Sequence, residues 1–180
     1  MKGMAFCCAS MGLILGAVPC FFEEKTPAKV PDPSTVQDEL NLVRGQLADQ
    51  SHVMEDVARH FSNLWFAAQK KNWGLSTFFL DETRSHLHWA VRVKPIRKNS
   101  LGQDINLGAI LEGIESSFLA ELKKAIEDKD GSQFVVAYRR TIEGCYSCHK
   151  TAEKPFLRPQ IPEAPGGPML NFDPDASWPQ

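Results

Sequence analysis

The sequence predicts an all-α protein, an antiparallel four-helix bundle with a proline-rich C-terminal extension. Three observations carry this expectation. Apolar residues recur at helical three-then-four spacing over long segments, the connections between those segments are short and rich in Gly, Asn, Asp and Pro, and strand-like alternation is weak throughout. Short connections between successive helices make antiparallel neighbours, which is the layout of a bundle.

The first helix is expected over residues 35–71, where Leu40, Val43, Leu47, Met54, Val57, Phe61, Leu64 and Ala68 follow the helical period and only Gln50 interrupts it. Ser34 and Asp38 supply its start, a hydroxyl for the orphan N–H groups and an acid that suits the helix dipole. A second helix follows Asn72-Trp73-Gly74, with Leu75, Phe79, His86, Trp89 and Val93 on its inner face, and ends before Pro95. Residues 97–103, with Asn99, Ser100 and Gly102, read as a loop. The third helix spans 104–127 through Leu107, Leu111, Ile114, Phe118, Leu122 and Ile126. After a turn at Asp128–Gly131 the fourth runs from Ser132 to about His149; the apolar run Phe134–Ala137 inside it is too short to seed a sheet.

These helices make one domain, 35–150. Beyond it, 151–180 is too proline-rich for regular structure. Phe156, Leu157, Ile161, Met169, Leu170, Phe172 and Trp178 are too apolar for a solvated tail, so the segment is expected to pack on the bundle.

At the other end, Lys2 precedes an uncharged apolar stretch, Met4 to Val18, the layout of a signal peptide over residues 1–20. It is short for a membrane span, which needs about 20 apolar residues. A buried N-terminal helix is the alternative. Residues 21–34 are Pro-rich and polar, an extended linker. Cys20, where the two meet, resembles the acylated cysteine of a lipoprotein, although Pro19 departs from the small residue normal before it. Two outcomes follow: a soluble exported protein, or one tethered to a membrane through Cys20.

Twenty Lys and Arg against twenty-two Asp and Glu leave a net charge of −2, with no surplus to hold nucleic acid by counterion release. The local basic run Arg92, Lys94, Arg97, Lys98 reads first as a solvated helix end and loop, and second as a docking patch for an acidic redox partner.

The chemistry lies in Cys145-Tyr146-Ser147-Cys148-His149, the C-x-x-C-H pattern of c-type haem attachment. On a helix, residues at i, i+3 and i+4 share a face. Both thiols then reach the two haem vinyl groups while His149 comes beneath the iron as proximal ligand. The competing readings are a Cys-x-x-Cys redox pair, which belongs beside a βαβ pattern absent here, and a zinc site, for which no second Cys pair exists. Cys7, Cys8 and Cys20 cluster near the N-terminus and do not form a disulfide framework. One motif means one haem c. No GxGxxG, P-loop, HExxH or GxSxG pattern appears, so hydrolase and transferase chemistry lack support and an enzyme is not expected.

A four-helix pattern with the attachment motif at the end of the last helix resembles the class II cytochromes c, the cytochrome c-prime type. The stretches His60-Phe61-Ser62-Asn63-Leu64-Trp65-Phe66-Ala67 and Asn72-Trp73-Gly74-Leu75 are similar to those of a group of small bacterial single-haem proteins that also end in C-x-x-C-H and a short proline-bearing tail. The resemblance covers about Leu40 to Phe172. It implies a haem-binding bundle, a distal residue from the first helix, and in many such bundles a homodimer.

The residue opposite His149 decides between an electron carrier and an open, gas-binding iron. His60 borders the apolar face of helix one and stands first, with hydrogen bonding at the surface or to a haem propionate as its other role. Met54 stands second, its other role being core filler. His86 is expected as a core histidine bonded to a backbone carbonyl, and His52 and His88 as surface residues. The expected function is periplasmic electron transfer between redox partner proteins; the alternative is a five-coordinate haem protein that binds NO or CO.

Overall fold

The computed structural model describes residues 32–46, 48–165 and 170–176. The signal segment 1–20, Cys20, most of the linker, Leu47, Met169 and Trp178 lie outside the described residues. Among the described residues the chain is all-α apart from one small hairpin. Its elements are α1 (Pro33–Gln46), α2 (Gln50–Gln69), α3 (Trp73–Val93), β1 (Ile96–Lys98), β2 (Asp104–Asn106), α4 (Leu107–Ile114), a π-helical stretch Glu115–Leu119, α5 (Ala120–Glu127) and α6 (Gly131–Thr151). Among the described residues, no helix is long and apolar enough to cross a membrane.

The single first helix expected over 35–71 is two helices. Asp49 starts the second: its carboxylate accepts the His52 N–H at 3.0 Å and the Ser51 hydroxyl at 2.7 Å. Such a cap satisfies donors that an uninterrupted helix would have spent on carbonyls one turn back, so the break falls at the one place where the apolar period lapses. The chain divides into two units, Met1–Gly45 and Gln46–Gln180.

Two of the connections in the larger unit are built alike. After α2, Lys71 takes a left-handed conformation (φ 56°), its N–H donates to the Ala68 carbonyl at 2.9 Å, and the Asn72 N–H donates to the Ala67 carbonyl at 2.9 Å. After α5, Lys129 (φ 56°) bonds to Ile126 and Asp130 to Ala125, both at 3.0 Å. This is the Schellman ending, here with lysine where glycine is usual. The residue that closes each helix also opens the next, since the Asn72 side chain caps α3 and the Asp130 side chain caps α6. Only three residues, 70–72 and 128–130, separate the helices, and each pair folds back on itself.

The Asp130 carboxylate accepts the Ser132 hydroxyl at 2.6 Å and the N–H groups of Ser132 and Gln133 at 2.9 and 3.0 Å. Its pKa lies below the ordinary 3.8, chiefly through the Ser132 hydroxyl. A carboxyl depressed in the folded state stabilises above its unfolded pKa, and that contribution is lost as pH falls through the folded value. Asp130→Asn is therefore expected to keep the cap at neutral pH and to flatten part of the acid limb in thermal unfolding measured from pH 7 downward. An unchanged acid limb would count against the cap as its source.

The third predicted helix begins at Leu107 rather than 104, because residues 104–106 pair with 96–98. Ile96 faces Asn106, Arg97 faces Ile105 and Lys98 faces Asp104 in antiparallel register. The predicted loop is thus the tip of a hairpin, turned through Gly102 at φ 76°. Further along, Glu115–Leu119 is π-helical. Ser116 and Ser117 donate their hydroxyls to the Glu112 and Gly113 carbonyls at 2.8 and 2.6 Å, and Thr141 of α6 donates to the Phe118 carbonyl at 3.3 Å. Side-chain donors inserted into the carbonyl ladder are a known cause of such widening.

The core joins α2, α3, α5 and α6: Leu64, Ala67, Ala68, Phe79, Leu80, Leu122, Ala125, Ile126, Phe134, Ala137 and Tyr138 are buried in one cluster with Leu119 of the π-helical stretch. Phe172 of the C-terminal segment packs against it, its ring 6.3 Å from Phe66 and 6.2 Å from Phe79, and its carbonyl accepts the Asn72 amide at 3.2 Å.

Candidate functional site: the C-x-x-C-H end of helix α6

Cys145, Cys148 and His149 lie on the last turns of α6, at the i, i+3, i+4 spacing that shares one face. Two turns earlier on that face, Tyr138 is fully buried. Its ring stacks on Phe61 of α2 at 4.2 Å with an interplanar angle of 5°, and its hydroxyl donates to the Phe61 carbonyl at 2.9 Å. Phe134, one turn before that, meets Trp65 at 6.1 Å. As α6 advances from 134 to 138, α2 retreats from 65 to 61, so the two run antiparallel. Followed turn by turn, this register brings Met54 to the level of Cys145 and Gln50 to that of Cys148 and His149. Met54 lies seven residues before Phe61, on the same side of α2.

The level of Gln50 is occupied by a second strand of contacts. Its amide donates to the Ala90 carbonyl at 2.9 Å and its carbonyl oxygen accepts Arg97 Nε at 3.0 Å. Arg97 is half-buried and close enough to Cys148 for its charge to act on the thiol. It is therefore no solvated loop residue, and the hairpin that carries it belongs to this end of the molecule. Lys98 does remain exposed, paired with Asp104. At the hairpin tip, the Ser100 N–H and hydroxyl donate to the Glu153 carboxylate at 2.7 and 2.8 Å, tying the tip to the end of α6.

Burial pushes the Cys145 thiol up to about 12, with the neighbouring Cys148 adding to the shift. Burial also raises Cys148, against the opposing charge of Arg97. Both groups are thiols at neutral pH. Catalytic Cys-x-x-Cys pairs have the reverse bias, a depressed pKa that makes a thiolate nucleophile.

His149 is oriented by the chain that follows it. Its Nδ1 lies 2.8 Å from the Leu157 carbonyl, which can only accept, so Nδ1 carries the hydrogen and Nε2 keeps its lone pair. The loop that delivers Leu157 is itself held. Glu153 has φ 57°, the Lys154 N–H donates to the His149 carbonyl at 2.8 Å, the Leu157 N–H donates to the Lys154 carbonyl at 3.0 Å, and the Tyr146 hydroxyl donates to Pro155 at 3.2 Å. Metal-bound histidines commonly donate their second nitrogen to a carbonyl in this way, which fixes the tautomer and the ring plane.

Gly144, buried beside Cys145, leaves room for Phe118: a Cβ there would stand 2.6 Å from Phe118 Cδ2. The widened π-helical turn is what carries Phe118 to that contact.

The remaining histidines lie elsewhere. His60 faces α3, its ring 4.8 Å from His86 and 6.1 Å from Phe79, and its Nε2 stands 4.0 Å from Glu82 Oε2. The neighbours of its ring are on α3, and the fold does not bring it together with Cys145, Cys148 and His149. His86 donates Nδ1–H to the Glu82 carbonyl at 2.8 Å. His52 is exposed and bonded to Asp49, and His88 is exposed 3.3 Å from Glu115. Arg97, Gln50 and Leu157 are the site residues that sequence reasoning missed; only the basic run around Arg97 hinted at one of them. Comparisons of the chain with models of protein families, with curated proteins and with solved structures found no match.

Proposed function

We propose that the chain is a periplasmic monohaem c-type cytochrome that carries electrons. In this reading the helices form an antiparallel four-helix bundle of the cytochrome c-prime kind. Haem c is joined through the thiols of Cys145 and Cys148, and His149 Nε2 is the proximal ligand. The observation that carries the proposal is the hydrogen bond from His149 Nδ1 to the Leu157 carbonyl, which leaves Nε2 as a lone-pair donor one residue beyond two protonated thiols on the same helix face. That donor set fits haem c.

What a bound haem supplies is a one-electron iron couple. The protein sets how that couple behaves. Leu157 holds the His149 ring, Tyr138, Phe61 and Trp65 keep water from the interior side, and Arg97 adds a positive charge beside Cys148. The helix register puts Met54 nearer the level of the cysteines than His60, and a thioether bound to the iron would raise the reduction potential. Export follows from the charge and apolar pattern of residues 1–20, and the partners are redox proteins of the same compartment.

The test is the absorption spectrum of the reduced, haem-matured protein with and without CO. The parent and His60→Ala are expected to form no rapid CO complex, and Met54→Ala is expected to form one. Absence of covalent haem after expression with an attachment system would overturn the cytochrome reading. An immediate CO complex in the parent would favour the five-coordinate gas binder.

A further inference from the structure

The surface where α2 and α3 meet holds a second group of donors that the haem proposal does not use. Asp56 and His60 are four residues apart on α2, and Glu82 and His86 are four residues apart on α3. Each pair therefore shares a helix face. The helices run antiparallel there: Gln50 bonds to Ala90, Asp56 stands opposite His86, and His60 opposite Glu82. One donor atom each from His60, Glu82 and His86 lies within 4.8 Å of the other two. Asp56 Oδ2 stands 4.0 Å from His86 Nε2, and Glu82 Oε2 stands 4.0 Å from His60 Nε2.

The bonding of these groups is incomplete. His86 gives its Nδ1 hydrogen to the Glu82 carbonyl at 2.8 Å, which leaves Nε2, 4.0 Å from Asp56 Oδ2, as the nitrogen free to meet a metal. His60 Nδ1 is buried without a hydrogen-bond partner in the protein, and its Nε2 is too far from Glu82 for a hydrogen bond. Among the described residues, no lysine or arginine pairs with Glu82. Asp56 pairs with Arg59 through its other oxygen, but His60 Nδ1 has no partner, and two imidazoles and two carboxylates converging from paired helices are a donor set that a cation would complete.

We propose that His60, Glu82 and His86, with Asp56 as the fourth donor, bind one borderline divalent cation, with Zn2+ the best chemical fit. Two imidazoles and two carboxylates on paired helices suit zinc, whose bonds to N and O are about 2.0–2.2 Å long. Tetrahedral donors at that radius sit about 3.4 Å apart, so the 4.0 Å spacings close by small side-chain rotations. The metal clips α2 to α3, and its site is separate from the proposed haem attachment, so the two succeed or fail independently.

The test uses the full chain with all five cysteines, Cys7, Cys8, Cys20, Cys145 and Cys148, replaced by serine, so that no thiol competes. Zn2+ is titrated against a chromophoric chelator, and the unfolding temperature is read with and without the metal. One equivalent bound and a higher unfolding temperature are expected, with both lost in His60→Ala/His86→Ala. Glu82→Gln, a half-exposed and nearly isosteric change that leaves folding intact, is expected to weaken binding. Co2+ in place of Zn2+ should give the visible bands of a tetrahedral N/O site. A parent chain that binds no Zn2+, or a double variant or Glu82→Gln chain that binds it as the parent does, overturns the proposal.

Discussion

Replacing Tyr138 with alanine is expected to cost the haem-free chain about 4–6 kcal/mol of stability. Tyr138 is 0% exposed, and it touches Phe61 at 4.2 Å, Trp65 at 4.9 Å and Phe134 at 5.6 Å between ring centroids. Truncating a buried aromatic costs about 3–5 kcal/mol, because transfer energy is lost and a cavity remains. The Phe61 carbonyl also loses the hydroxyl that bonds it at 2.9 Å, a further cost of about 1 kcal/mol. A domain whose whole stability is about 5–15 kcal/mol can lose most of its margin to one such change. Tyr138→Phe separates the two contributions: it keeps the ring stack, removes the hydroxyl, and should cost only about 1 kcal/mol. Chemical denaturation followed by circular dichroism measures both variants. If Tyr138→Ala costs under 1 kcal/mol, the α2–α6 contact is not what holds α6 in register.

Gly144→Ala is expected to destabilise the protein despite alanine being the better helix former by about 1 kcal/mol. The added methyl would lie 2.6, 2.9 and 3.2 Å from Phe118 Cδ2, Cε2 and Cγ. Overpacking of this kind costs about 1–3 kcal/mol, so the net loss is up to about 2 kcal/mol. The ring that must move is anchored on the π-helical turn, while the methyl is next to Cys145. Shortening the ring should reverse the sign: in a Phe118→Leu background, Gly144→Ala is expected to be neutral or stabilising. The same denaturation experiment, run as a double-mutant cycle, reads that coupling directly. Equal effects in both backgrounds would mean that Phe118 yields without cost.

Much of the architecture was legible because helices announce themselves locally. The apolar period located α3, α5 and α6 to within a few residues, Pro95 marked the end of α3, and Asp128–Gly131 marked the turn before α6. Where the reading failed, a side chain competed with the backbone. Asp49 diverted N–H groups and split the first helix, and three hydroxyls diverted carbonyls around Glu115–Leu119. The hairpin went unseen because three-residue strands carry too little alternation to register.

The same division holds at the site. Sequence alone determined that Cys145, Cys148 and His149 share a helix face, since that depends only on 3.6 residues per turn. It ranked His60 ahead of Met54 because both border the apolar side of one helix, and spacing cannot say which neighbour each border meets. Only the tertiary structure decided that. α2 is gripped on one side by Tyr138 of α6 and on the other by α3, and His60 turns to Glu82 and His86. Tertiary contacts likewise supplied the Leu157 carbonyl for His149 and Arg97 for Cys148, each across a turn whose geometry no local pattern encodes.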